Sequence, residues 1–210
     1  MKAALVAIGV FMALLGVLVI AGSALPTRWE VGQQVEIPAA AARIHAWVGN
    51  LERWPEWKAW RFSADPEMQT WITGRPDGAG ATLHWKSEAA GSGRLHVRHN
   101  SPQAGVCFRV RLAGSPEPAR HAITYRPVGS QRTKVEWYAS GDVGYAPLGG
   151  YMAFLIRRVM SEHVRAALHE LQRQLASGAW QERKTQCSSS NKPNNASWKP
   201  SSRSVSKSPP

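Results

Sequence analysis

From Gly149 to Ser177 the chain contains no proline and, after Gly150, no glycine. Along this stretch Ile156, Met160, Val164, Ala167, Leu168, Leu171 and Leu175 recur at helical spacing. Arg157, Arg158, Glu162, Arg165, Glu170 and Arg173 occupy the other positions, and Gly178 follows as a stop. This pattern predicts one long amphipathic helix, whose apolar stripe must be covered by another layer.

The preceding residues supply that layer. In Trp29 to Ile37, Trp29, Val31, Val35 and Ile37 share one face and Glu30, Gln34 and Glu36 the other, the period-two signature of a half-buried strand. Pro38 then opens a helical stretch in which Ile44, Trp47, Val48 and Leu51 fall on one side, and Trp54-Pro55 breaks it. From Gln69 the alternation returns: residues 69–73, 81–87, Leu95/Val97, Val106/Phe108/Val110/Leu112, Ile123/Tyr125 and Val135/Trp137/Ala139, with glycine-bearing turns between. The opposite positions hold Arg94, His96, Arg98, Cys107, Arg109, Arg111, Thr124, Arg126, Lys134, Glu136 and Tyr138. The sequence therefore predicts an α+β domain over residues 28–178, an antiparallel meander with one wet face and the long helix over the other.

The two ends read differently. Between Lys2 and Arg28 there is no charged residue, and the apolar run from Ala3 to Leu25 exceeds the roughly 7–15 residues of a signal-peptide core. Roughly 20 such residues cross a bilayer, so residues 1–27 read as a transmembrane anchor, with a cleaved signal peptide ending at Gly22-Ser23-Ala24 as the alternative. Lys2 ahead of the span places the N-terminus in the cytoplasm and the domain outside it, a single-pass arrangement. Residues 179–210 form a Ser-, Pro- and Asn-rich basic tail, too poor in apolar groups to offset ordering entropy and so expected to be disordered.

The chain has 26 Lys and Arg against 14 Asp and Glu, a net charge of +12. Six of those cations lie from Arg183 onward with no acid among them, so half of the excess belongs to the tail. Two cysteines, Cys107 and Cys187, without Cys-x-x-Cys or clustered histidines, exclude a disulfide scaffold or structural zinc. The arginines on the wet face, Arg94, Arg98, Arg109 and Arg111, with Arg126 and Lys134, either meet anionic lipid headgroups or are simply solvated. Nucleic acid is disfavoured by an anchor that holds the domain outside the cytoplasm.

Particular segments carry a family resemblance. Ile37-Pro38-Ala39, the run Asn50 to Trp57 with its Trp54-Pro55-Glu56-Trp57, the pair Gly80 to Trp85 and Gly91 to Leu95, Thr133 to Trp137, and Met160 to Leu171 together resemble the START-like (SRPBCC) superfamily in its bacterial polyketide cyclase/dehydrase-like branch. The resemblance covers about residues 29–177. It implies a helix-grip fold, with an antiparallel sheet wrapped on the C-terminal helix and a cavity between them for apolar molecules.

The residues agree with such a cavity. Nearly all inward positions are apolar or aromatic, and such a set either packs solid or lines a pocket. The candidate ligand contacts are Trp57, Trp85, Phe108, Tyr125, Trp137, Met160 and His163. Trp54, Trp57 and Trp60 recur every third residue as one aromatic ridge at the rim, either anchoring the core or touching ligand at the mouth. Of the histidines, His84, His96 and His121 take outward positions, His45 and His169 lie off the apolar stripes and His99 sits by a turn; His163, beside the Met160/Val164 stripe, looks sideways into the cavity. No nucleophile–base pair, phosphate loop, metal set or cofactor motif stands out, so no catalytic residue, metal or cofactor is assigned. The leading expectation is a membrane-anchored domain binding a small hydrophobic or amphipathic ligand. The alternatives are a polyketide cyclase/dehydratase-like enzyme, or a protein- or lipid-surface interaction module with a filled core.

Overall fold

The computed structural model describes residues 2–59, 65, 67–88, 91–115, 117–129, 131–144 and 148–177. Trp60, Gly178 and the tail lie outside them. Helix α1 spans Lys2–Ala24; strand β1, Arg28–Ile37; helix α2, Ala41–Val48; and a short 3-10 helix, Leu51–Trp57. Strands β2 to β7 follow at Gln69–Thr73, Thr82–Ser87, Gly91–Ser101, Gly105–Leu112, Ala119–Pro127 and Thr133–Asp142, and helix α3 closes the chain at Gly149–Ala176.

The seven strands form one antiparallel sheet in the order β1-β7-β6-β5-β4-β3-β2. β1 pairs with β7 from Arg28 opposite Asp142 to Ile37 opposite Thr133, so the first and last strands are neighbours at one edge. The chain reaches the far edge through α2 and the 3-10 helix, then returns strand by strand. Inward residues agree with the alternation: Ile37, Leu95, Ile123 and Val135 have no exposed surface, and Trp85, Val97, Phe108 and Trp137 almost none. In β4 the register slips between Val97 and His99, a bulge that leaves Arg98 outside the ladder.

The segment between β1 and β2 is fixed by side-chain caps as much as by burial. Thr133 Oγ1 donates to the Ala39 carbonyl (2.8 Å), Asn50 Oδ1 accepts from the Glu52 N–H (3.0 Å), and Asn100 Nδ2 donates to the Gly49 carbonyl (2.8 Å). Ile44, Trp47, Val48, Leu51, Trp54 and Trp57 all turn inward.

α3 covers the sheet unevenly. In its second half Val164, Ala167, Leu168, Leu171 and Leu175 are buried on the main core. In its first half only Gly149, Gly150 and Ala153 are buried, while Leu155 is 52% and Val159 58% exposed. One position departs from the expected stripe: Glu170, assigned to the polar side, is buried. It stands three residues after Ala167 and one before Leu171, on the covered face, where Arg173, Lys58 (3.5 Å) and Gln174 Nε2 (2.8 Å) meet its carboxylate. Burial works against its charge, but the Gln174 hydrogen bond and the Arg173 and Lys58 charges prevail and hold the carboxyl below the ordinary range.

Candidate ligand-binding site

The inward aromatic residues named from the sequence come together, but largely in contact with one another. Trp54 stands edge-on to Phe108 (5.0 Å between centroids) and to Trp57 (5.8 Å), and Trp57 packs on Trp137 (5.9 Å). Trp54 and Trp57 have no exposed surface, so the 3-10 helix fills the space beneath β5 and β7 with two indoles. Trp85 is buried and closely backed by Gly93, where a Cβ would fall 2.2 Å from Trp85 Cζ2. Tyr125 is buried in the same core, its hydroxyl 3.3 Å from His45 Nδ1; burial raises the phenol's pKa and lowers that of the imidazole.

An open hollow lies instead beside the first half of α3, where Ala153, Ile156 and Met160 form a smaller apolar cluster with Trp29, Val31 and Ala139. It encloses about 620 Å³ between α3 and the ends of β5, β6 and β7, and is larger than the hollows of 450, 400 and 320 Å³ on the outer surfaces. Trp29, Val110, Leu112, Ala119 and Val143 line the sheet side, and Leu155, Ile156, Val159 and Met160 the helix side. Met160 is thus the one sequence-derived candidate that lines it. His163 lies behind, its Nε2 3.0 Å from the Ala59 carbonyl and its ring edge-on to Trp137 (6.3 Å).

His121 is also in the lining, and here the outward assignment is corrected: the residue is buried. Its parity is that of Ile123 and Tyr125, so the alternation of β6 itself turns it inward, and this was the available signal. Its ring stacks on Phe108 (4.8 Å, 13° between planes), and Trp137 Nε1 donates to its Nδ1 (3.3 Å). An indole nitrogen only donates, so Nδ1 accepts and the ring's proton sits on Nε2. Burial, seconded by the nearby charge of His163, takes the pKa down to about 3. The groove's lining therefore includes a neutral imidazole among apolar walls.

Polar groups otherwise stand at the groove's margin. Asp142 is held ionised chiefly by the Gly144 N–H (2.9 Å), and Glu117 is exposed. Among the described residues no group of three or more His, Cys, Asp and Glu side chains is placed to hold a metal ion. Arg94, Arg98, Arg109 and Arg111 lie on the opposite, outer face of the sheet, around a separate hollow.

Comparison with solved structures gives the same architecture at low identity. A protein from Nitrosospira multiformis superposes with TM-score 0.52 at 14% identity, over 71% of this chain and 98% of its own. Norcoclaurine synthase from Thalictrum flavum, a point mutant in complex with a transition-state analogue, gives TM-score 0.55 at 10% identity, over 72% and 96%. The same enzyme bound to dopamine and hydroxybenzaldehyde gives 0.52 at 12%, over 71% and 87%. Comparison with curated proteins finds no match. The sequence itself matches the family described as polyketide cyclase / dehydrase and lipid transport over residues 28–176, every strand of the sheet and all of α3, and the chain belongs to that family.

Proposed function

We propose that the protein is a membrane-tethered domain that binds one small apolar or amphipathic molecule in the groove between α3 and the ends of β5 to β7. The observation that carries this reading is the groove itself: about 620 Å³ of largely apolar lining, a volume that suits a small ligand, with a neutral His121 as its buried polar group. A carbonyl, hydroxyl or ether oxygen on the ligand would accept from its Nε2–H. The fold is one in which norcoclaurine synthase accommodates dopamine and hydroxybenzaldehyde.

Tethering is supported by α1, whose segment Leu5–Ala24 is long and apolar enough to cross a membrane. Its end lies against the start of α3: Tyr151 Oη donates to the Leu18 carbonyl (3.2 Å), and a Cβ on Gly150 would fall 2.2 Å from Leu25 Cβ. The exposed Leu148, which caps α3, and Met152, Phe154 and Leu155 within it would then stand close to the bilayer surface, on the domain's extracytoplasmic side if Lys2 stays inside. An amphipathic ligand would thus meet the groove without crossing much water.

Native mass spectrometry of the full-length protein released from neutral detergent tests the reading. The wild type should retain one apolar molecule, and Val159→Trp, which fills the groove from its exposed wall, should lose it while unfolding at the same temperature. A wild type that retains nothing when supplied with a fluorescent fatty acid, or a variant that retains as much, would overturn it.

A further inference from the structure

The outer face of the sheet carries a charge arrangement that the fold does not compensate. Arg94 on β4 lies directly opposite Arg111 on β5, and Arg109 lies between His96 on β4 and Arg120 on β6. Adjacent strands are about 4.8 Å apart and alternate residues about 6.8 Å, so Arg94, Arg109 and Arg111 extend from neighbouring points, and the bulge brings Arg98 out beside them. Like charges opposed across a ladder destabilise it. Among the described residues none of these four arginines forms an ion pair.

They surround a hollow of about 450 Å³, with His84 and His96 in its lining and no carboxylate there among the described residues. Both imidazoles are oriented from the neighbouring strand, His84 Nε2 lying 3.1 Å from Thr73 Oγ1 and His96 Nδ1 2.9 Å from Thr82 Oγ1. The other opposed cationic pair of this sheet, Arg126 and Lys134, is treated differently, because Lys134 has Glu136 at 3.5 Å. Around the hollow no such carboxylate offsets the repulsion among the described residues.

We propose that this hollow is a second binding site, for a soluble molecule that carries two or more phosphate groups. Guanidinium groups meet phosphate oxygens through paired, charge-assisted hydrogen bonds, and opposed arginines that repel one another when empty share a multiply charged anion when filled. The concavity argues for a solute rather than a bilayer surface, which is flat on this scale. The site lies on the face of the sheet away from α3 and does not depend on the apolar groove.

Titration of the full-length protein in neutral detergent with inorganic tripolyphosphate, at fixed ionic strength, is the test. Saturable one-to-one binding is expected, with Kd raised at least tenfold in Arg109→Gln/Arg111→Gln. Arg126→Gln/Lys134→Gln removes the same two charges from the other end of the sheet and should change Kd less than twofold. Without anion, Arg109→Gln/Arg111→Gln should unfold no lower than wild type, since the substitution relieves repulsion. The proposal is overturned by absence of saturable binding, by equal weakening in both variants, or by a lower unfolding temperature of Arg109→Gln/Arg111→Gln. Arginine-dependent capture of phosphatidylglycerol vesicles without tripolyphosphate binding would also overturn it, by making the face a lipid surface.

Discussion

At the scale of single residues, the groove's polar group doubles as a pH-dependent element of stability. His121 has a folded pKa of about 3 against an ordinary 6.5, so between these values the unfolded chain binds a proton that the folded one does not. Its contribution is complete above about pH 6.5 and is lost as the pH falls, at about 1.4 kcal/mol per unit. Urea denaturation at pH 7 and pH 5 should show wild type losing about 2 kcal/mol more than His121→Gln over that interval. Equal losses would mean that the imidazole is not buried neutral. Two tryptophans give a second comparison. Trp54 Nε1 donates to the Val48 carbonyl (2.8 Å), whereas buried Trp57 Nε1 has no partner among the described residues. Trp54→Phe should therefore cost about 1–3 kcal/mol more than Trp57→Phe, because only the former strands a carbonyl. Strand parity could be read for nearly every inward residue, His121 included once its place beside Ile123 and Tyr125 is followed. The buried ionic cluster at Glu170 could not, since Lys58 reaches it from a distant part of the chain.

At the scale of elements, α3 is the informative case. Its sequence gives one continuous apolar stripe, and periodicity identifies a face without identifying what lies against it. In the folded protein the stripe divides: Val164 to Leu175 meet the main core, while Ile156 and Met160 pack on the smaller cluster of Trp29, Val31, Ala139 and Ala153 at the groove's edge, and Leu155 and Val159 flank it from exposed positions. The cause is the 3-10 helix, whose Trp54 and Trp57 fill the sheet's concave side beneath Phe108 and Trp137. Of the expected ligand contacts, Trp57, Phe108 and Trp137 meet Trp54 or one another in this space, and the groove described above opens towards the ends of β5 to β7. That outcome depends on tertiary packing of a tryptophan-rich turn, which no local pattern specifies. The division has a measurable consequence. Leu171→Ala, with no exposed surface to begin with, should cost about 2–5 kcal/mol, and Leu155→Ala within about 0.5 kcal/mol of nothing. Comparable losses in denaturant titrations of the two would show the first half of α3 to be packed and the groove closed.

At the scale of the whole molecule, the question is what α1 does for the domain. Nearly all its described apolar side chains are exposed, Leu5 by 68% and Ile20 by 72%, as in a helix long and apolar enough to cross a membrane. Leu5–Ala24 extends about 30 Å at a rise of about 1.5 Å per residue, the thickness of the hydrocarbon core. Its last turn is not a free linker, because Gly22 is buried where its carbonyl would lie 2.9 Å from a Cβ on Gly150, and Thr27 leads directly into the paired end of β1. α1 and the domain therefore meet through α3, whose exposed Met152, Phe154 and Leu155 follow the contact within a turn or so. An uncleaved span keeps the protein in the membrane pellet through carbonate washing, and its N-terminal peptide is then recovered from that pellet by mass spectrometry. If α1 spans the membrane, substituting Gly150→Leu should leave this fractionation unchanged, since hydrocarbon burial of α1 would exceed what the small contact with α3 contributes, yet it should make the junction around Leu25 more sensitive to protease. A soluble protein beginning at Leu25 would instead identify the segment as a signal peptide, and the groove would then have to collect its ligand from solution.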